Sequence, residues 1–161
     1  MLAKVLRKNS ALTTLDLGYN PLGLTGINAL MNALHTNTTL TSLIIPLSLT
    51  FNGIKALVKA LRINNTLTCL QIDKLYENYI ESRGAKALAK ALYKNNTLIT
   101  LVISFNFIDF EGAKAFRKVL YTNTTLAYLD LSCNDFDFEG TKVLIEALTK
   151  NNTLIALKIC D

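Results

Sequence analysis

Side chains able to do chemistry are few in this sequence, and they are scattered. There is one histidine, His35, and there are three cysteines, Cys69, Cys133 and Cys160. A zinc site draws three or four ligands from His, Cys, Asp and Glu, usually with two of them close in sequence. No C-x-x-C pair occurs here, and His35 has no second imidazole to join it. Nucleophilic catalysis would need a base within hydrogen-bond reach of a hydroxyl or thiol, and His35 stands beside Thr36 near a predicted helix end. No G-x-S-x-G, phosphate-binding loop or H-E-x-x-H is present. We therefore expect no catalysis, no metal and no cofactor. An odd number of unpaired thiols suits a reducing compartment, so a cytosolic location is expected, the cytosol of a host cell included.

Charge is better organised than nucleophiles. The net charge is +5, and most of the basic residues fall in helical segments. Lys55, Lys86, Lys114 and Lys142 each stand two residues after a glycine, and Lys59, Lys90 and Lys118 follow four residues later. Residues four apart share a helix face, so stacking these helices would make two basic columns. Such columns could attract an acidic polymer or an anionic membrane surface. The competing reading is a solvated helix face whose long stems cover apolar surface. On this reading no aromatic interleaving for base stacking accompanies these lysines, which argues against nucleic acid.

The elements that position these residues come from a repeat. Leu12, Leu40, Leu67, Leu98, Leu126 and Leu154 open matching segments 28, 27, 31, 28 and 28 residues apart. Each reads L-x-x-L-x-L or L-x-x-L-x-I, as in Leu12-Thr-Thr-Leu15-Asp-Leu17, and that alternation is the period of a half-buried strand. Asn20, Asn106 and Asn134 follow in three repeats, and Gly26, Gly53, Gly84, Gly112 and Gly140 come next. After each glycine the apolar residues recur with helical spacing, for example Ala113, Phe116, Val119 and Leu120. Glu111 and Glu139 precede their glycines, where a helix N-terminus favours negative charge. Asn37, Asn64, Asn95, Asn123 and Asn151 close the helices in Asn-x-Thr sequences. Asparagine tolerates the left-handed conformation that ends a helix, which predicts a structural role for them rather than glycosylation. Half the residues are hydrophobic and no apolar run is long enough to span a membrane.

Strand and helix therefore alternate with all strands parallel. Strands stack about 4.8 Å apart and helices about 8 to 10 Å apart, so the stack bends with the sheet on the inner side. We expect one α/β solenoid domain over residues 1–161, with full repeats from Leu12, Leu40, Leu67, Leu98 and Leu126 and a partial one from Leu154. Residues 1 to 9 read as the helix of a preceding half-repeat. Neither end has an obvious polar cap, which suggests a fragment of a longer array or stacking of the ends into a dimer.

The second repeat departs from the pattern, with Ser48 for the turn asparagine and Pro46 marking the strand's end. The third carries extra residues, Asp73-Lys-Leu-Tyr-Glu-Asn-Tyr-Ile80, predicted to bulge at the rim and to offer Lys74, Tyr76, Glu77 and Tyr79 as a contact. On the concave sheet the intervening strand positions include Asp16, Gln71, Asp73, Tyr128, Asp130 and Lys158, with Ile44 and Val102 as apolar members. Tyr128 is the side chain of the hot-spot type among them.

Leu126-Ala-Tyr-Leu-Asp-Leu-Ser-Cys-Asn-Asp-Phe, followed by Phe138-Glu-Gly-Thr-Lys-Val-Leu, resembles the ribonuclease-inhibitor class of leucine-rich repeats, and the likeness extends over essentially the whole chain. That class includes ribonuclease inhibitors, the sensing domains of NOD-like receptors, activators of the Ran GTPase and repeat effectors of intracellular bacteria. The resemblance implies a horseshoe fragment with helices on the convex side and recognition of a protein partner through the concave sheet and rim loops. It also implies no enzyme, since no arginine stands in a matching strand-to-helix loop. Binding of an acidic polymer or membrane by the lysine columns, and a purely structural spacer role, are the alternatives.

Overall fold

The computed structural model describes residues 1–45, 51–72 and 80–159. Along the chain come α1 (Leu2–Leu6), β1 (Thr14–Asp16), α2 (Gly23–Leu34), β2 (Ser42–Ile45), α3 (Phe51–Leu61) and β3 (Cys69–Ile72). They are followed by α4 (Glu81–Leu92), β4 (Thr100–Val102), α5 (Phe110–Thr122), β5 (Tyr128–Asp130), α6 (Phe138–Leu148) and β6 (Ala156–Lys158). The expectations for Pro46, Ser48, the insertion with Asp73, Lys74, Tyr76, Glu77 and Tyr79, and Cys160 lie outside the described residues.

The strands form one parallel sheet in the order β1-β2-β3-β4-β5-β6, and each helix packs on the helices before and after it. Register follows the second leucine of each motif, so that Leu15, Leu43, Leu70, Leu101, Leu129 and Leu157 align in one row. That row points inward, and Leu43, Leu70, Leu101 and Leu129 are fully buried. The helices meet it with residues such as Leu57, Leu88, Phe116 and Leu144, also fully buried. Each strand, too short to stand alone, is held by its neighbouring repeats, on both sides for β2 to β5 and on one side for β1 and β6.

Two sequence expectations need correction. The closing asparagines are not left-handed: Asn123 has φ −78° and ψ 130°, and none of the five is among the positive-φ residues. Their amides do the work instead. Asn64 Nδ2 donates to the Leu34 carbonyl at 2.9 Å, Asn95 to Leu61 at 2.8 Å and Asn123 to Leu92 at 2.8 Å. Each Oδ1 accepts from the backbone N–H three residues on, as Asn95 does from Leu98 at 2.8 Å. A buried amide with both ends satisfied ties one helix end to the next strand and to the preceding repeat.

The helices also begin earlier than expected, with the glycines inside the first turn. Asp109 and Asp137 are the N-caps: Asp109 Oδ1 accepts from Glu111 N at 2.7 Å, and Asp137 Oδ1 from Gly140 N at 2.7 Å. The glycine is required by closeness. A Cβ on Gly84 would stand 2.8 Å from Ile80 Cγ2, and one on Gly112 would collide with Ile108 Cγ2 and lie 3.2 Å from Ala85 Cβ.

Candidate binding surfaces

The open face of the sheet carries two rows of side chains, one per strand. The first runs Thr14, Ser42, Cys69, Thr100, Tyr128, Ala156 and the second Asp16, Ile44, Gln71, Val102, Asp130, Lys158. Tyr128, Asp130 and Lys158 are brought together near one end. Lys158 Nζ is 3.9 Å from Asp130 Oδ2 and 5.5 Å from the centre of the Tyr128 ring. Asp130 Oδ1 accepts from Ser132 N at 3.0 Å, so one carboxylate oxygen shapes the turn while the other meets the lysine. Gln71 sits mid-row between Ile44 and Val102, all three half-buried. Asp16 lies at the far end of the same row, exposed, with Oδ1 accepting from Gly18 N at 2.8 Å. Asp73, Tyr76 and Tyr79 are outside the described residues.

Beside this face runs a rim that the sequence reading missed. Tyr19, Phe105 and Cys133, each just before its turn asparagine, have φ of 58°, 60° and 53°. The asparagine anchors the turn: Asn134 Oδ1 accepts from Asn106 N at 2.9 Å and Ile108 N at 3.1 Å in the preceding repeat. Left-handed φ is costly for a residue with a Cβ, and it turns the side chain outward. Tyr19 is 73% exposed, and Phe107, at φ 52°, is 47% exposed. The signal available in the sequence was an aromatic residue in the glycine-like place before the turn asparagine.

The basic residues stand on the helical side, Lys55 and Lys59 on α3, Lys86 and Lys90 on α4, Lys114 and Lys118 on α5, and Lys142 on α6. The first column is substantially neutralised. Glu111 forms ion pairs with Lys86 at 2.8 Å and with Lys114, and Glu139 lies 3.8 Å from Lys142. Lys114 and Lys86 hold the Glu111 carboxyl down at about 2. Lys55 lies 5.0 Å from the Phe51 ring centre, and Lys114 4.7 Å from that of Phe110. In the second column, Lys59, Lys90 and Lys118 have no ion pair among the described residues. Aromatic residues do accompany it, contrary to the expectation from sequence: Tyr93 and Tyr121 border Lys90 and Lys118 in the cleft between α4 and α5. Each tyrosine stands three residues after its lysine on the same helix, and stacking of the repeats brings the two pairs into one cleft.

A second inter-repeat tie sits at the start of α5. Ser82 Oγ donates to Asp109 Oδ1 and accepts from Gly112 N at 3.2 Å. The Ser82 hydroxyl lowers the Asp109 pKa most, with the backbone N–H groups adding to it against partial burial. His35 follows α2 with a buried Nε2 that makes no hydrogen bond among the described residues, in a recess with Asn28, Asn32 and Asn52. Cys69 and Cys133 are free thiols. Among the described residues no three His, Cys, Asp or Glu side chains cluster as a metal site would require, and no helix is long and apolar enough to cross a membrane.

A leucine-rich-repeat family model matches residues 8–31, 94–116 and 122–144. No curated protein matches the chain in sequence. Among solved structures, the C-terminal domain of tropomodulin from Caenorhabditis elegans is similar at a TM-score of 0.75 and 12% identity, over 92% of this chain and 89% of that one. Actin-binding site 2 of leiomodin-1 is similar at 0.56 and 17% identity, over 98% and 76%. A Bacteroides fragilis protein is similar at 0.54 and 14% identity, over 83% and 37%. At such identities the likeness is one of fold, and the fold agrees with the matched repeats and with the helix behind every strand. The chain thus folds as an α/β leucine-rich-repeat solenoid, with family-model matches over part of its length.

Proposed function

We propose that the chain is a non-catalytic module that binds a folded protein through the open sheet face and the neighbouring rim. The observation that carries this reading is the Tyr128–Asp130–Lys158 cluster, which continues along the second row into Val102, Gln71 and Ile44. An aromatic beside apolar positions and a polar margin is the composition of an interface hot spot. Because every row position is set by the stacked backbone, little conformational freedom is lost on docking, and contact area converts more fully into affinity. Leiomodin-1 supports a protein as the partner class, since the similar structure bears the name of an actin-binding site. Asp16 and the insertion residues Asp73, Tyr76 and Tyr79 belong to the same proposed surface.

The test is affinity capture from nuclease-treated lysate of the source cells at low and high salt, with the wild-type chain beside a Tyr128→Ala/Lys158→Glu variant. The wild type should retain a stoichiometric protein at high salt, and the variant should lose it. Equal retention of that protein by both would refute the proposal.

A further inference from the structure

We propose that the cleft between α4 and α5 is a second binding site, which takes an acidic peptide segment of a partner protein. This cleft encloses about 750 Å³ on the helical side, away from the sheet. Its floor is Ala89 and Ala115, and these small side chains leave room between the two helices. Tyr93 and Tyr121 wall one end, 42% and 37% exposed. The α4 wall repeats at four-residue spacing through Lys86 and Lys90, and the α5 wall through Lys114 and Lys118, so both present their lysines to the same cleft.

The two ends of the cleft differ in charge. At the N-terminal end Glu111 satisfies Lys86 and Lys114 together. At the tyrosine end Lys90 and Lys118 have no ion pair among the described residues. Arg117 Nε donates to the Tyr121 hydroxyl at 3.0 Å, and Lys150 Nζ lies 5.6 Å from the same ring's centre. Glu146 of α6 is close enough to bear on Arg117, and it offsets only part of this positive field.

An occupant must therefore be anionic at one end, apolar over the alanines, and neutral or basic where it reaches Glu111. A peptide can vary in this way along one helix length. A nucleic acid strand carries its charge uniformly and would set phosphates against Glu111, and a lipid surface is too broad to enter a cleft one helix pair wide. Charge complementarity selects a peptide whose carboxylates meet Lys90 and Lys118 and whose apolar side chain lies between Tyr93 and Tyr121. Aromatic walls add apolar contact at low entropic cost.

Fluorescence anisotropy of the intact chain tests this with a labelled peptide that carries a Glu-Glu-Leu-Glu-Glu block at one end, Ala-Leu in the middle and lysine at the other. The same peptide with glutamine for glutamate, an oligothymidine and phosphatidylserine vesicles serve as competing probes. The acidic peptide should bind. Lys90→Glu/Lys118→Glu should weaken it at least about tenfold and Tyr93→Ala/Tyr121→Ala several-fold, both with unchanged circular dichroism. Tyr128→Ala/Lys158→Glu, which disables the sheet face, should leave it unchanged, so the two surfaces succeed or fail separately. The proposal is overturned if the acidic peptide does not bind, if the glutamine peptide binds as well, or if the lysine reversals have no effect. It is equally overturned if oligothymidine or vesicles bind as tightly as the acidic peptide and the tyrosine changes alter nothing, since the cleft would then be a general anion surface.

Discussion

Asn95 reaches back across a repeat to Leu61, donating from Nδ2 to the Leu61 carbonyl at 2.8 Å while its Oδ1 accepts from Leu98 N at 2.8 Å. One 6%-exposed amide thus closes the end of α3, the end of α4 and the entry to β4. Replacement by alanine strands a carbonyl and two N–H groups in a buried place. Asn95→Ala should therefore lose about 1–3 kcal/mol, read as a lower urea midpoint. A change within a few tenths of a kcal/mol would show the ladder to be dispensable.

Gly112 reverses an ordinary rule. Alanine in a helix is normally about 1 kcal/mol better than glycine, but here its Cβ would collide with Ile108 Cγ2 and crowd Ala85. Gly112→Ala should destabilise by about 1–3 kcal/mol through overpacking. A rise in thermal midpoint would mean that Ile108 turns aside freely.

Tyr19 gives the opposite sign. Its φ of 58° is unfavourable for a tyrosine, and at 73% exposure the ring forgoes little packing when removed. Tyr19→Asn should raise stability by roughly 0.5–1 kcal/mol, because asparagine enters the left-handed region more easily. If the rim contacts the partner, the same change should weaken capture. A destabilised variant would show that the ring is held in place by contacts worth more than the strain.

Acid should loosen the α4–α5 contact before it unfolds the chain. Glu111 is lowered from 4.5 to about 2 by Lys114 and Lys86, so its stabilising effect is complete above about pH 4.5 and is lost as pH falls toward 2. Thermal midpoints of the wild type should fall across that window more than those of Glu111→Gln, and added salt should shrink the difference because the groups are exposed. Parallel curves for the two proteins would remove Glu111 as a source of acid sensitivity.

The Asn-x-Thr sites should stay bare in folded material. Asn37, Asn64, Asn95 and Asn123 are 4 to 8% exposed, with Nδ2 already donating inside the protein, as in Asn37 to Leu6 at 2.9 Å. Intact mass of soluble chain passed through a secretory pathway should show no glycan at these four positions. A glycosylated yet cooperatively folding species would contradict the ladder.

The sequence by itself determined the repeat, the parallel sheet and the inward leucine row. Leucine alternation has a period of two, which admits one strand register only, and helical spacing after each strand leaves no other partner for the apolar face. That logic also placed Asp130 and Lys158 in one row and the lysines on the helical side. Tertiary structure decided what depends on the next repeat. The closing asparagines look like local helix terminators until Leu61, 34 residues from Asn95, takes the hydrogen bond. Glu111 looks like a helix-end charge until Lys86, 25 residues away, pairs with it. Tyr93 and Tyr121 come to share one cleft, and Gly112 meets Ala85, only when the helices stack. Apolar periodicity is a property of one segment and can be read along it, whereas pairing of side chains between stacked segments depends on distances that exist only after folding.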